Sequence, residues 1–455
     1  MSRNIVFICL DSVRKDVFDE VAVRTQRLAD VSFDNCRAAS SWSAPSHASM
    51  ISGKLPNEHR VTTHSRSFDS LSLENTIFDG LDEYRTVGIS GNIFAGPTYN
   101  FDDYFDSFFV LNRETRFPRA LSAYSDDYEM SLSGVSSYIL DSMRDDRTIK
   151  SALNGFITFL NQVTDIPLWA FDQGAKPGLR IAKEELREIK APAFIFLNLM
   201  EGHIPYRSGR YLGTDFHDVP SGWSSDKKGV WELFQEDYDE QYWNRRNQLY
   251  RATVEYLDRH ISKFVRSVGE ETTVIITADH GDNLGTEVDN GLANHKSSLT
   301  EGVLHVPCYI INAPDISEQT EEYLSHLNFP TLIKGIRKDH IPNLTSDQIP
   351  AELGGMSGGP DPENDYEYYD RAIRCVYNKD EKILWDSLGN CVEYRISSNN
   401  MNNQQYSASL DQPPSWATDH FGSSIVEYKS NIIKRDDEIN IDVSTEERLE
   451  ELGYL

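Results

Sequence analysis

The sequence predicts an α/β fold: a mostly parallel sheet flanked by helices, followed by a small antiparallel unit. Three observations lead there. Apolar, β-rich runs at 5–10, 86–90, 193–199, 273–278 and 306–311 have the unbroken hydrophobicity of strands buried on both faces. Helical stretches separate them, the clearest at 250–268, where Val254, Leu257, Ile261, Phe264 and Val265 recur at helical spacing. Beyond residue 363 the pattern changes to short strands at 371–377, 382–386 and 391–396, joined by turn sequences. Alternation of strand and helix is what a parallel sheet with helical crossovers requires, and ligands of such sheets bind beyond the carboxyl ends of the strands.

Taken in order, the main body spans 1–342. A mainly helical insert occupies about 107–192, with helices expected at 141–161 and 179–190. A second irregular stretch, 208–243, is rich in Gly, Asp and aromatic residues, and both are read as lids or walls of a substrate cleft. A helix is expected at 321–336, interrupted at Pro330. Residues 343–363, with Pro350, paired glycines and Pro362, read as a linker. The C-terminal unit, 364–455, carries the antiparallel strands, a polar Asn/Gln-rich loop at 397–415 and a short terminal helix at 445–455.

Composition narrows the function. A hydrophobic content of 39% in 455 residues suffices for a real core. The net charge of −28 disfavours nucleic acid and anionic membranes as partners. The acid is spread along the chain and Arg outnumbers Lys, a halophile-like pattern suited to a salt-loaded cytoplasm. No apolar run is long enough to span a bilayer, and Met1 leads into a strand without a leader-like segment. Five scattered cysteines (Cys9, Cys36, Cys308, Cys375, Cys391) include no C-x-x-C pair, so a structural zinc site is not expected and the thiols are taken as free. A cytoplasmic location is the expectation.

Two strand runs end on carboxylates: Asn4-Ile-Val-Phe-Ile-Cys-Leu-Asp11 and Val274-Ile-Ile-Thr-Ala-Asp279-His280. An acid at a buried strand end is costly unless it is hydrogen-bonded or metal-bound. Asp11, Asp279 and His280 therefore form a candidate divalent-cation site, with Asp282 a further option or a turn former. Hard oxygens plus one imidazole suit Mg²⁺, Mn²⁺ or Ca²⁺ and leave Zn²⁺ open. Between the strands lies Ser43, just ahead of Pro45 and a short helix that Gly53 closes. Taken alone Ser43 reads as an N-cap; beside a cation it reads as a nucleophile.

These residues together resemble the sulfatase family of the alkaline phosphatase superfamily. The resemblance rests on Asp11 after the first strand and on Ser43-Ala-Pro45-Ser-His47-Ala-Ser-Met-Ile-Ser-Gly53. It continues in the His203-Ile-Pro205-Tyr206 stretch after Asn198, in Thr277-Ala-Asp279-His280-Gly281, and in Lys296 followed by Glu301 and His305-Val306-Pro307. Pro330-Thr331-Leu332 and the ending Arg448-Leu-Glu-Glu-Leu-Gly-Tyr-Leu455 fit too. The motifs run in family order and are weakest at 107–192 and 343–444.

The resemblance implies an alkaline-phosphatase-like sheet and a metal-dependent hydrolase of sulfate esters working through a covalent intermediate at residue 43. Asp11, Asp279 and His280 would bind one divalent cation. Ser43 would be the nucleophile, with His203 and Lys296 beside the transferred group. His47, Arg14, Asn92 and His295 would be substrate contacts. The substrate would be a small anionic sulfate or phosphate ester, including one carried on a carbohydrate. His47 stands where true sulfatases carry Arg, so Ser43 is either a formylglycine precursor or an unmodified serine. In the second case the sequence fits a phosphodiesterase or phosphoryl-group transferase, like the phosphonate monoester hydrolase and phosphoglycerol transferase relatives. A non-catalytic binding protein of the same fold is the remaining alternative.

Overall fold

The computed structural model describes residues 2–111, 116–121, 132–163, 172–213, 215–225, 240–286, 289, 291–319, 322–356, 366–397, 400–433 and 449. A seven-stranded sheet forms its centre, in the spatial order Val31–Ser32, Cys308–Ile311, Thr272–Ala278, Asn4–Leu10, Ala193–Leu199, Arg85–Ser90, Ser107–Val110. The last five are mutually parallel, and Cys308–Ile311 runs antiparallel to its neighbours. Ile5 to Leu10 are fully buried, as strands covered on both faces must be.

Strand alternation sorts the covering helices. Phe7 meets Phe329 edge-on at 5.5 Å, and Cys9 lies beside His47, so the helices Phe329–Arg337 and Ser43–Ser52 cover one face. Gly178, in the helix Ala175–Glu188, sits so close to Leu197 and Leu199 that an added Cβ would come within 3.0 Å of Leu197. Leu197 and Leu199 register with Ile8 and Leu10, so this helix covers the opposite face. The long helix Glu240–Val265 packs on it in turn, starting ten residues before the expected 250.

The C-terminal sheet has five antiparallel strands in sequential order: Gln348–Leu353, Ile373–Asn378, Glu381–Asp386, Cys391–Ser397 and Asn400–Ser409. Two readings change here. Gln348–Leu353 lies inside the stretch read as linker. It is an edge strand, where a residue such as Pro350, with no N–H to donate, is tolerated. Asn400–Ser409 lies inside the stretch read as a polar loop. It is the opposite edge, where a polar sequence faces water. Pro330 sits in the first turn of Phe329–Arg337 and begins that helix instead of interrupting it; Leu324–Ser325 before it is a short strand on Cys36–Arg37. In the insert the helices are Leu132–Arg144, Thr148–Val163 and Ala175–Glu188. The terminal helix expected at 445–455 lies outside the described residues apart from Leu449, as do 226–239 of the second irregular stretch.

The C-terminal sheet is fastened to the main body as well as packed on it. Ile349, Leu353, Cys375 and Tyr377 belong to the same apolar core as the central strands. At the junction Glu301 is fully buried, with Arg37 on one carboxylate oxygen and Lys382 and Tyr377 donating to the other. Burial alone would push the Glu301 carboxyl up, but Lys382 and then Arg37 outweigh it and hold it down at about 2.

Removing this carboxylate leaves two buried cations without their anion, so Glu301→Ala should destabilise the protein by about 3–5 kcal/mol in denaturant unfolding. The same linkage sets a pH dependence. A depressed carboxyl stabilises the fold above its unfolded value, and this contribution fades as pH falls from the ordinary glutamate range towards about 2. The acid limb of the stability profile should therefore flatten in Glu301→Ala.

Candidate active site

The site is built where strands Asn4–Leu10 and Thr272–Ala278 end together. Their register pairs Leu10 with Ala278, so the next residues, Asp11 and Asp279, emerge side by side. Ser12 then takes a left-handed conformation (φ 58°) that turns the chain off the sheet and aims its N–H back at Asp279 Oδ1, 3.1 Å away. The His280 N–H donates to the same oxygen at 2.9 Å. Two backbone donors thus hold Oδ1, while the fully buried Oδ2 has no hydrogen-bond partner. His280 donates Nδ1–H to the Gly281 carbonyl (2.8 Å), which leaves Nε2 as a lone-pair donor 3.4 Å from Asp279 Oδ2. Asp11 accepts from Ser12 Oγ at 2.8 Å through Oδ1 and from Asn92 Nδ2 through Oδ2.

Asp11, Asp279 and His280 each offer a ligand atom, and these lie within 4.8 Å of one another. Burial and the neighbouring Asp279 push the Asp11 carboxyl up. Asp279 is held below its ordinary value despite burial, chiefly by His280 and His47. Two carboxylates sunk side by side, one with an orphaned oxygen, fit a divalent cation. The oxygen-rich donor set with one imidazole is of the kind Mg²⁺, Mn²⁺ and Ca²⁺ accept.

Ser43 is the first residue of the helix Ser43–Ser52, with Trp42 as its N-cap, so the reading of Ser43 as the cap moves by one residue. Its Oγ lies 3.3 Å from His280 Nε2, which puts it against the same cluster. Ser46, one turn on, fastens the helix by donating to the Asp279 carbonyl. Gly53 closes the helix in the left-handed conformation, and an added Cβ there would meet the Leu327 carbonyl at 2.9 Å.

The basic residues divide into two groups. His280, His295 and His203 form a row, with ring centroids 4.3 Å apart for the first pair and 5.5 Å for the second. Burial, then His280, lowers His295 to about 3, and its Nδ1 lies 3.5 Å from Asp282 Oδ1. Lys296 is tied to Trp42, the residue preceding Ser43: its carbonyl accepts the Trp42 indole N–H (3.0 Å) and its ammonium lies over the Trp42 ring at 5.8 Å. Burial, then Arg66, brings Lys296 down to about 7.

The other three residues read as substrate contacts are committed to the protein. Arg14 donates to Asp16 and Asp289, so its guanidinium braces a turn. His47 donates to the Ser43 carbonyl (2.7 Å) and meets Asn198 Nδ2 at 3.2 Å with its other nitrogen, under the rings of Phe101 and Phe196. Asn92 supports Asp11 and caps a short turn through Phe94 N–H. In each case a polar residue near a motif is spent on positioning because burial demands a partner. Asp282 lies outside the group formed by Asp11, Asp279 and His280 among the described residues, and Arg246 and Tyr206 each donate to its Oδ2 at 2.8 Å. Sequence reasoning missed Arg246, Asn198 and His326, whose Nδ1 lies 3.4 Å from Ser46 Oγ. The first lies on a helix with an ordinary amphipathic pattern, and nothing local marks the other two.

A family model described as Sulfatase matches residues 3–335, about three quarters of the chain. The chain belongs to the sulfatase family. Similar solved structures include a putative sulfatase from Bacteroides thetaiotaomicron (15% identity, TM-score 0.54, covering 96% of this chain and 93% of that one). A phosphonate monoester hydrolase of Agrobacterium radiobacter shares 12% identity with a TM-score of 0.55 and covers 96% of each chain. A protein solved in complex with its substrate D-glucosamine-2-N,6-O-disulfate shares 12% identity, TM-score 0.55, over 97% of this chain and 100% of that one. At these identities the likeness is one of fold. No curated protein matches the sequence.

If the orphaned Asp279 oxygen is a cation ligand, adding Mg²⁺, Mn²⁺ or Ca²⁺ should raise the melting temperature. The gain should be about 2.7 kcal/mol at a hundredfold excess over Kd. Asp279→Asn and Asp11→Asn should each abolish that rise in a thermal-shift titration. An undiminished rise in both variants would place the cation elsewhere.

Proposed function

We propose that this sulfatase-family protein is a metal-dependent hydrolase of sulfate esters that works through a covalent intermediate on residue 43. The observation that supports it is the meeting of Ser43 Oγ with His280 Nε2 beside a carboxylate oxygen that lacks a partner. Asp11, Asp279 and His280 would hold the cation, which when bound supplies Lewis acidity and neutralises the charge of an anionic ester. That neutralisation matters in a chain of net charge −28, whose field otherwise repels the substrate.

The chain's own residues supply the rest. Ser43 Oγ attacks sulfur in line, forming an O–S bond as the bond to the alcohol oxygen breaks. Lys296 or His203 stabilises the developing charge and returns a proton to the leaving oxygen. Water then releases the inorganic anion from residue 43 or, where Ser43 is formylglycine, the second hydroxyl of the gem-diol loses its proton and expels the anion, restoring the aldehyde. Beside a bound cation the Ser43 hydroxyl would be more acidic and would give up its proton to water before the attack. A sulfated carbohydrate is the substrate class this reading favours, as one structural neighbour acts on a sulfated glucosamine.

One observation favours a second reading, hydrolysis or transfer at phosphorus. His47 occupies the position of the usual arginine and is buried with both ring nitrogens engaged. That puts formylglycine formation in doubt, and a sulfate on plain serine lacks the gem-diol route of escape. A phosphoryl group on serine has no such requirement.

Peptide mass spectrometry of residue 43, paired with assays on aryl sulfate, aryl phosphate and phosphodiester substrates, separates the two. Unmodified serine with phosphodiester turnover and no sulfatase turnover would overturn the first reading. In either case Ser43→Ala should lose at least about 10³-fold in turnover, while keeping the cation-induced rise in melting temperature. If Lys296 acts as a cation, kcat/KM should fall as pH rises through about 7. Lys296→Ala should lower kcat/KM by about 10²-fold and remove that alkaline limb.

A further inference from the structure

The two helices Leu132–Arg144 and Thr148–Val163 are built inside out. Their inward side is small and polar: Tyr138, Ser142, Ser151, Asn154 and Thr158 are all buried. Asn154 is bound to the backbone of Phe117 and Leu121, and Tyr138 donates to the Ser151 carbonyl. Gly155 lets the helices approach so closely that an added Cβ would lie 2.2 Å from the Tyr138 ring. The outward side is apolar. Ile139, Leu140, Met143, Ile149, Phe156 and Phe159 are between 48% and 77% exposed.

This is not scattered surface hydrophobicity. Of the sixteen large apolar side chains exposed among the described residues, eight lie between Val135 and Phe159. Together they present on the order of 800 Å², about what one partner contributes to a standard interface and more than an ordinary monomer shows in one patch. Ile149, Leu153, Phe156 and Phe159 follow the three- and four-residue spacing of a bundle seam.

We propose that this face is where two copies of the chain pair, hairpin against hairpin, to complete a four-helix arrangement. Charge selects this occupant. Residues 132–163 carry three acidic side chains (Asp141, Asp145, Asp146) and three basic ones (Arg144, Arg147, Lys150), all near the turn between the helices and balanced within a chain of net charge −28. An anionic lipid surface calls for a basic excess, which this hairpin lacks. A two-fold axis sets each apolar face against its own copy, and with no net charge on the hairpin there is no like-charge repulsion to oppose that approach. Among the described residues the hairpin's fastening to 116–121 is made through its polar inward side, which leaves the apolar side facing outward.

Sedimentation velocity on the full chain across a range of loading concentrations tests this. The expected result is a reversible dimer, weakened at least about 100-fold by Ile149→Glu combined with Phe156→Glu, with the cation-induced rise in melting temperature retained. A wild-type chain that stays monomeric at every loading overturns the proposal, as does a double variant that still dimerises. A monomer that binds phosphatidylglycerol vesicles overturns it in favour of a lipid surface. Should the variant fail to fold, hydrogen exchange on the wild-type chain decides. Peptides from 132–163 should exchange more slowly at high than at low protein concentration, and unchanged rates overturn the dimer.

Discussion

The register between Asn4–Leu10 and Thr272–Ala278 is the constraint on which the site depends. It brings Asp11 and Asp279 out of the sheet together, at a depth where neither carboxylate has water to solvate it. Two adjacent buried acids repel, and backbone N–H groups satisfy only one oxygen of Asp279. A one-residue slip of either strand would turn its carboxylate to the other face of the sheet and dissolve the site. The apolar runs that bury both strands therefore do two things at once. They hold the core, and they fix the separation of two candidate ligands that are 268 positions apart in the chain.

The surroundings spend most of their polar groups on holding this arrangement. Ser46 ties the Ser43–Ser52 helix to the Asp279 carbonyl, His47 ties the same helix to Asn198, and Asn92 steadies Asp11. One layer out, Arg14 and Arg246 neutralise Asp16, Asp289 and Asp282, acids that would otherwise compete with the ester for a cation. What remains is His280 against Ser43, with His295 and His203 in a row behind it, and Lys296 over the Trp42 ring.

Distance from the site changes what burial is used for. At Glu301 a charged cluster joins the C-terminal sheet to the main body, and its charges are matched by short hydrogen bonds from Lys382 and Arg37. In the helical hairpin the pattern is reversed, with polar groups inward and apolar groups outward. Among the described residues nothing covers that apolar face, which is the basis for the proposed pairing of two copies.

The parallel sheet, the two acid-tipped strands and the serine between them were all legible in the sequence, because each is a local pattern: an apolar run, a terminal carboxylate, a helix start with Pro45. The cation set Asp11, Asp279 and His280 followed from those patterns, and its three ligand atoms do lie close together. The edge strands Gln348–Leu353 and Asn400–Ser409 were not legible, since an edge strand needs neither continuous hydrophobicity nor freedom from proline. Nor were the roles of Arg14, His47 and Asn92. Residue type marked them as able to meet an anion, but which partner a buried polar group takes depends on what the fold places within 3 Å of it. Local chemistry along the chain determined which residues could build a site. Only the packing of the strands and helices decided which of them face the substrate and which hold the others in place, because hydrogen-bond partners far apart in sequence become neighbours only in the folded chain.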